Sequence, residues 1–254
     1  MLFSVWENWR RRRVLRKHII PADLWAVTIE QVRAASHLSI VDRERLRNVA
    51  SLFLHDKYIE PAEGMELTDA MRMRIACEAA IPILNLDPEH YHAWHTVIVY
   101  PAQFVSHEEF HDGAGVVHRH RSVRAGEAWQ RGPVVISWED VIDDEDANNV
   151  IIHEAAHKLD MLDGATNGRP PIHSSMSQKQ WTTVLSEAYA SHVADVDAGR
   201  RTRIDAYAAK NPAEFFAVTS EAFFEIPDVL KRVWPDVYMQ LSFYYRQQTV
   251  AADP

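Results

Sequence analysis

The stretch VIIHEAAHKLDMLDG, Val150 to Gly164, sets two histidines, a glutamate and two aspartates within one apolar run. Val150, Ile151, Ile152, Ala155, Ala156, Leu159 and Leu162 would cover most of a helix's circumference, which predicts a buried helix. Gly164 is its natural stop. A buried helix ordinarily avoids such polar residues, because each unpaired polar group costs about 1–3 kcal/mol in apolar surroundings. The spacing His153-Glu154-x-x-His157 answers the objection. Residues i and i+4 lie on one helix face a turn apart, so two imidazoles can converge on one divalent cation. Glu154 points to a neighbouring face, too far round to join them as a ligand but able to hydrogen-bond a water. The expected cofactor is one Zn²⁺ per chain, with Glu154 as general base.

Around this run the chain reads as α+β: mainly helical, with a small mixed β-sheet packed beside the HExxH helix. Helical spacing of apolar residues marks segments near 4–18, 22–34, 42–55 and 68–85, with Asp42 and Thr68 as N-caps. Strands are expected at 95–100, within 113–124 after a turn at Gly113-Ala-Gly115, and at 134–138. Asp143, Asp144, Glu145 and Asp146 suit the first turn of the HExxH helix, where they favour its positive dipole end. Further helices are expected at 177–196, 212–225 and 235–247. We expect one domain over 1–254: a helical part at 1–88, sheet and catalytic helices at 89–246, and a frayed tail at 247–254. Ser106 to Arg131, rich in Gly, His and Arg, reads as a mobile loop bordering a cleft. The histidines at 90, 92, 95, 107, 111, 118 and 120 satisfy no spacing rule for a second metal.

The formal charge of -9 argues against nucleic acid as a partner. The local run Arg10–Arg13 reads as the solvated face of an amphipathic helix. No apolar run is long enough to span a bilayer. The charges near the N-terminus follow its short apolar start, which is a poor secretory signal. Cys77 is the lone cysteine, so no internal disulfide forms and a cytoplasmic location is expected.

A catalytic zinc takes three protein ligands and keeps one position open. Asp163, six residues after His157, stands where metzincins place their third ligand, but the glycine that turns their chain back is replaced by Asp160. If the run stays helical, Asp163 projects away. The better source is the segment NPAEFFAVTSEAFF, Asn211 to Phe224. Asn211 reads as an N-cap, Pro212 as the first helical residue and Glu214 as N3 of a capping box. Glu221 lies two turns along the same face. Either carboxylate is a candidate ligand, since five apolar neighbours (Phe215, Phe216, Val218, Phe223, Phe224) indicate burial and a buried carboxylate needs a partner.

His153-Glu154-Ala-Ala-His157-Lys-Leu-Asp160, followed by Tyr207 and then the Asn211–Phe224 block, resembles the Mlc titration factor A family. That family is similar in its catalytic fold to the protease domain of anthrax lethal factor. The resemblance implies a zincin-like fold and a gluzincin peptidase: His153, His157 and Glu214 as metal ligands, Glu154 as catalytic base, and Tyr207 as a stabiliser of the tetrahedral oxyanion. Glu221 then becomes an acceptor behind a ligand, and Asp160, seven residues after His153, is expected to accept a ligand histidine's free N–H. The strand at 134–136 is the expected substrate-binding edge. The resemblance further implies a peptide substrate with aminopeptidase-like preference, although no acidic anchor for an α-amine is identifiable. It also implies a partner, a Mlc-like transcriptional repressor. The alternative function is a non-catalytic protein that sequesters such a regulator.

Overall fold

The computed structural model describes residues 2–111, 117–124, 126–128, 132–143 and 148–250. In chain order these form α1 (Leu2–His18), α2 (Ala22–Glu30), α3 (Ile40–Asp56), β1 (Tyr58–Pro61), α4 (Asp69–Ala80), β2 (Thr96–Tyr100), β3 (Phe104–His111), β4 (Val117–Arg124), β5 (Gly126–Ala128), β6 (Val134–Ser137), α5 (Trp138–Ile142), α6 (Val150–Asp160), α7 (Gln178–Asp197), α8 (Pro212–Glu225), α9 (Pro227–Val233) and α10 (Pro235–Tyr245). Short 3-10 turns fill several connections, including Met161–Asp163 and Ala206–Ala209.

The main sheet has the order β1-β2-β6-β5. The first three strands run parallel and β5 runs antiparallel to β6, so the sheet is mixed and the α+β expectation holds. β3 and β4 pair separately as an antiparallel ribbon. All four residues of β6 are buried, as an unbroken apolar run predicts for an interior strand. Among the described residues the outermost strand on this side is therefore β5, not the 134–136 strand, because Gly126, Glu127 and Ala128 cover β6 through Ile136, Val135 and Val134.

One hydrophobic cluster runs from Ile20 to Tyr245. α6 and α8 lie at its centre, packed on each other, and α6 also touches α4, β5 and β6. Every residue of α8 from Ala213 to Glu225 is buried. Its Thr219 and Ser220 hydroxyls satisfy themselves by donating back to the Phe215 and Phe216 carbonyls at 2.6 and 2.7 Å.

Several local expectations shift. Ser39, not Asp42, caps α3: its Oγ accepts the Asp42 N–H at 3.1 Å, and Asp42 sits in the first turn. Thr68 caps α4 as expected. α6 begins at Val150 behind Asn149, so Asp143 closes α5 instead of opening α6. Asp144, Glu145 and Asp146 lie outside the described residues, as does the expected turn at Gly113-Ala-Gly115. The stretch expected as a mobile loop holds most of β3 and all of β4 and β5; β4 falls within the strand expected at 113–124, while short polar segments concealed the pairing of β3 and β5. Gln247 and Thr249 are buried, and Gln247 Nε2 donates to the Ile81 carbonyl at 2.8 Å, so the C-terminal stretch is docked at least to there. In α1, Arg10 meets Asp56 at 2.7 Å and Arg11 meets Asp87 at 3.3 Å, so the basic face is partly clasped by the protein's own acids.

Candidate metal centre

Two capped helix starts position the site. Asn149 Oδ1 accepts the Ile152 N–H at 2.9 Å and opens α6. Asn211 Oδ1 accepts the Glu214 N–H at 2.9 Å and opens α8, with Pro212 at the first helical position. The second cap fixes the Glu214 backbone while its carboxylate reaches across to α6. His153 Nε2, His157 Nε2 and Glu214 Oε2 then stand pairwise 3.1 Å apart. Among the described residues this is the only group of three His, Cys, Asp or Glu side chains whose donor atoms converge so. A tetrahedral cation with bonds of about 2.0–2.1 Å needs ligand atoms roughly 3.3–3.4 Å apart. The triangle, two imidazoles and one carboxylate, therefore fits such an ion with small adjustment.

Glu221 stands behind His153. Its Oε1 takes the His153 Nδ1–H at 2.5 Å and its Oε2 takes the Asn149 backbone N–H at 2.9 Å. That contact places the proton on Nδ1 and leaves Nε2 free to face the triangle. Glu214, not Glu221, is the carboxylate brought to both Nε2 atoms. Asp163 is exposed in the 3-10 turn after α6, where its Oδ1 accepts the Ala165 N–H at 3.1 Å.

Asp160 has a different task from the one expected. It is fully buried, and its two oxygens accept the Gly168 and Arg169 backbone N–H groups at 2.8 Å each. Both oxygens are thereby directed to the loop after α6, and Asp160 acts on His157 through charge instead of through a histidine N–H. Among the described residues, His157 Nδ1 is buried without a hydrogen-bond partner. Gly168 is locked further: Trp181 Nε1 donates to its carbonyl at 3.3 Å, and its φ of +72° is one that side chains rarely adopt.

Burial and the neighbouring carboxylates set the electrostatics of the cluster. Burial pulls the His153 pKa down, but the Glu221 charge and the hydrogen bonds to Glu214 and Glu221 outweigh it and hold it well above the ordinary value. Burial wins at His157, whose pKa is lowered. Burial would raise Glu214, yet hydrogen bonds from both histidines hold it far below the usual carboxylate range. Next along α6, Lys158 donates to the Gly132 carbonyl at 2.9 Å; burial lowers its pKa to about 8 against the pull of Glu154.

Tyr207 stands at the rim, 44% exposed, in the 3-10 turn that Asp205 caps. Its hydroxyl donates to Glu214 Oε1 at 3.1 Å. Lys210, marked in the sequence only by its spacing of four from Glu214, donates to the Tyr207 oxygen at 2.9 Å and to Glu214 Oε1 at 3.2 Å. The triangle opens on a cleft of about 760 Å³ walled by β5, the 166–169 loop, α7 and the start of α8. Glu154 is buried on its floor beside β5.

A family model described as glucose-regulated metallo-peptidase M90 matches residues 6–246. The chain is also similar to Mlc titration factor A of Yersinia pestis (strain Pestoides F) and of Yersinia pseudotuberculosis serotype O:3 (strain YPIII). Each is 39% identical over 215 residues, covering 83% of this chain and 79% of the relative.

Proposed function

The chain belongs to the glucose-regulated metallo-peptidase M90 family, and on that premise we propose that it is a zinc-dependent peptidase. The observation that carries this reading is the 3.1 Å triangle of two imidazole nitrogens and one carboxylate oxygen, with Glu154 on the same floor of an open cleft. Zinc in this donor set would polarise a carbonyl and make water nucleophilic at neutral pH. His153, His157 and Glu214 would hold it. Glu221 keeps the His153 proton on Nδ1, so that Nε2 presents its lone pair. Glu154 removes a proton from the attacking water and hands it to the leaving amine. Tyr207 turns its hydroxyl from Glu214 toward the oxyanion, where a neutral donor stabilises developing charge.

The substrate is a peptide laid along β5, the outermost strand beside Glu154 among the described residues, so that main-chain hydrogen bonds hold it without reading side chains. Small peptides with an aminopeptidase-like preference are the proposed class. Among the described residues lining the cleft, Glu127 is the one carboxylate beyond Glu154 and Glu214. Among the described residues, no helix is long and apolar enough to cross a membrane, and the one cysteine, Cys77, is a free buried thiol. The free thiol supports work in the reducing cytoplasm.

The relatives' name, Mlc titration factor A, supports a second role: this chain binds a Mlc-like transcriptional repressor. Glu154→Gln separates the two. Loaded with one zinc per chain, the variant should lose peptide hydrolysis and retain both its metal and repressor binding. Undiminished cleavage by the variant would refute the peptidase mechanism.

A further inference from the structure

We propose that Gly126 positions the general base, and that the backbone of β5 is the wall that fixes the Glu154 carboxylate. This rests on the peptidase reading above. A Cβ built on Gly126 would fall 2.9 Å from Glu154 Cδ and closer still to its Oε1, and 2.7 Å from Val150 Cγ2. None of the three nearest atoms belongs to His153, His157 or Glu214. The space where residue 126 would carry a side chain is therefore filled by the working end of Glu154 and by the residue one turn earlier on the same helix.

The strand geometry explains why this one position matters. Gly126 is the first residue of β5 and pairs with Ile136, a fully buried strand residue. β5 cannot move away from α6 without breaking its ladder to β6. A side chain at 126 must therefore be accommodated by Glu154 or Val150. Ordinary carbon contacts begin at about 3.5 Å, so the carboxylate would have to retreat by about 1 Å. Displacement of that size at a reacting group costs about 100-fold in rate. A glycine inside a strand commonly marks such a close approach.

The test uses the full chain loaded with zinc, on a peptide that the unaltered protein cleaves. Gly126→Ala should lower kcat about 100-fold with KM changed less than about threefold, at unchanged zinc content. Its crystal structure should show the Glu154 carboxylate shifted by about 1 Å, a readout independent of activity. Combined with Glu154→Asp, whose shorter side chain withdraws from the wall, Gly126→Ala should cost little more than Glu154→Asp alone. If Gly126→Ala does not fold, Gly126→Ala/Val150→Ala removes the second clash and reads the Glu154 contact by itself. Unchanged kcat, an unmoved carboxylate, or losses that simply multiply with Glu154→Asp would each overturn the proposal. Failure of the peptidase reading looks different: the unaltered, zinc-loaded protein would itself cleave nothing, while the carboxylate shift in the Gly126→Ala crystal would still be measurable.

Discussion

Replacing Glu221 by Gln keeps the shape of the side chain and removes its charge and one acceptor. In the native protein its two oxygens each accept a hydrogen bond, from His153 Nδ1–H at 2.5 Å and from the Asn149 N–H at 2.9 Å. An amide has one oxygen and one NH₂, so one of these donors must face another donor. If the amide nitrogen turns to His153, the ring must carry its proton on Nε2, the wrong tautomer for a metal ligand. If it turns to Asn149, the start of α6 loses a buried hydrogen bond. The first outcome should weaken zinc binding about 10- to 100-fold, the usual effect of removing a partner behind a ligand, which is about 1.4–2.7 kcal/mol. The second should destabilise the fold by about 1–3 kcal/mol.

The loss also depends on pH, with a sign set by His153. The Glu221 charge raises the His153 pKa, so in the native protein a proton competes with the metal over the range below that raised value. Glu221→Gln removes that charge, lowers the pKa and weakens the competition. The variant's deficit should therefore be smallest at low pH, where the native His153 proton competes with the metal, and grow as the pH rises toward the raised His153 pKa. Zinc affinity measured by chelator competition across that range, with a thermal melt at each pH, gives both quantities. Equal affinity and equal Tm at the alkaline end would refute the orienting role of Glu221.

Three further outcomes follow from the same geometry. Tyr207→Phe should lower kcat about 100- to 1000-fold through loss of an oxyanion donor, while zinc content by metal analysis stays at one per chain. In the unaltered protein, apparent zinc affinity should fall about tenfold per pH unit below the raised His153 pKa; a slope of one proton is expected because the His157 pKa is lowered, and a slope of two would contradict that assignment. Gly168→Ala should destabilise the fold by about 1–3 kcal/mol, since its φ is +72° and a Cβ would fall 2.8 Å from the Pro212 carbonyl carbon. Denaturant unfolding reads this directly, and a variant as stable as the parent would show the 166–169 loop is not pinned.

The histidine pair and the start of α8 were legible in the sequence because their information is local. The i, i+4 histidines and the Asn211-Pro212 helix start are short-range rules, and α8 begins and ends where its pattern placed it, Pro212–Glu225. The ligand choice between Glu214 and Glu221 was not local. It depends on how α8 crosses α6, and only the resemblance favoured Glu214. Asp160 departs from expectation for the same reason: its helical position is right, but its carboxylate accepts the Gly168 and Arg169 N–H groups, whose approach no periodicity reveals. β5 escaped notice because Gly126-Glu127-Ala128 has neither length nor apolar alternation, and it exists as a strand through its ladder to β6. The burial of β6 carried a usable signal, an uninterrupted Val-Val-Ile run, which marks an interior strand and so points to another strand as the outermost one.

The most direct measurement is X-ray diffraction from zinc-soaked crystals at the zinc absorption edge. One anomalous peak per chain is expected, within about 2.0–2.2 Å of His153 Nε2, His157 Nε2 and a Glu214 oxygen, with Glu221 still on His153 Nδ1. A peak held by Glu221 in place of Glu214, or no peak between the two histidines at full zinc occupancy elsewhere, would contradict the assignment on which the proposed chemistry depends.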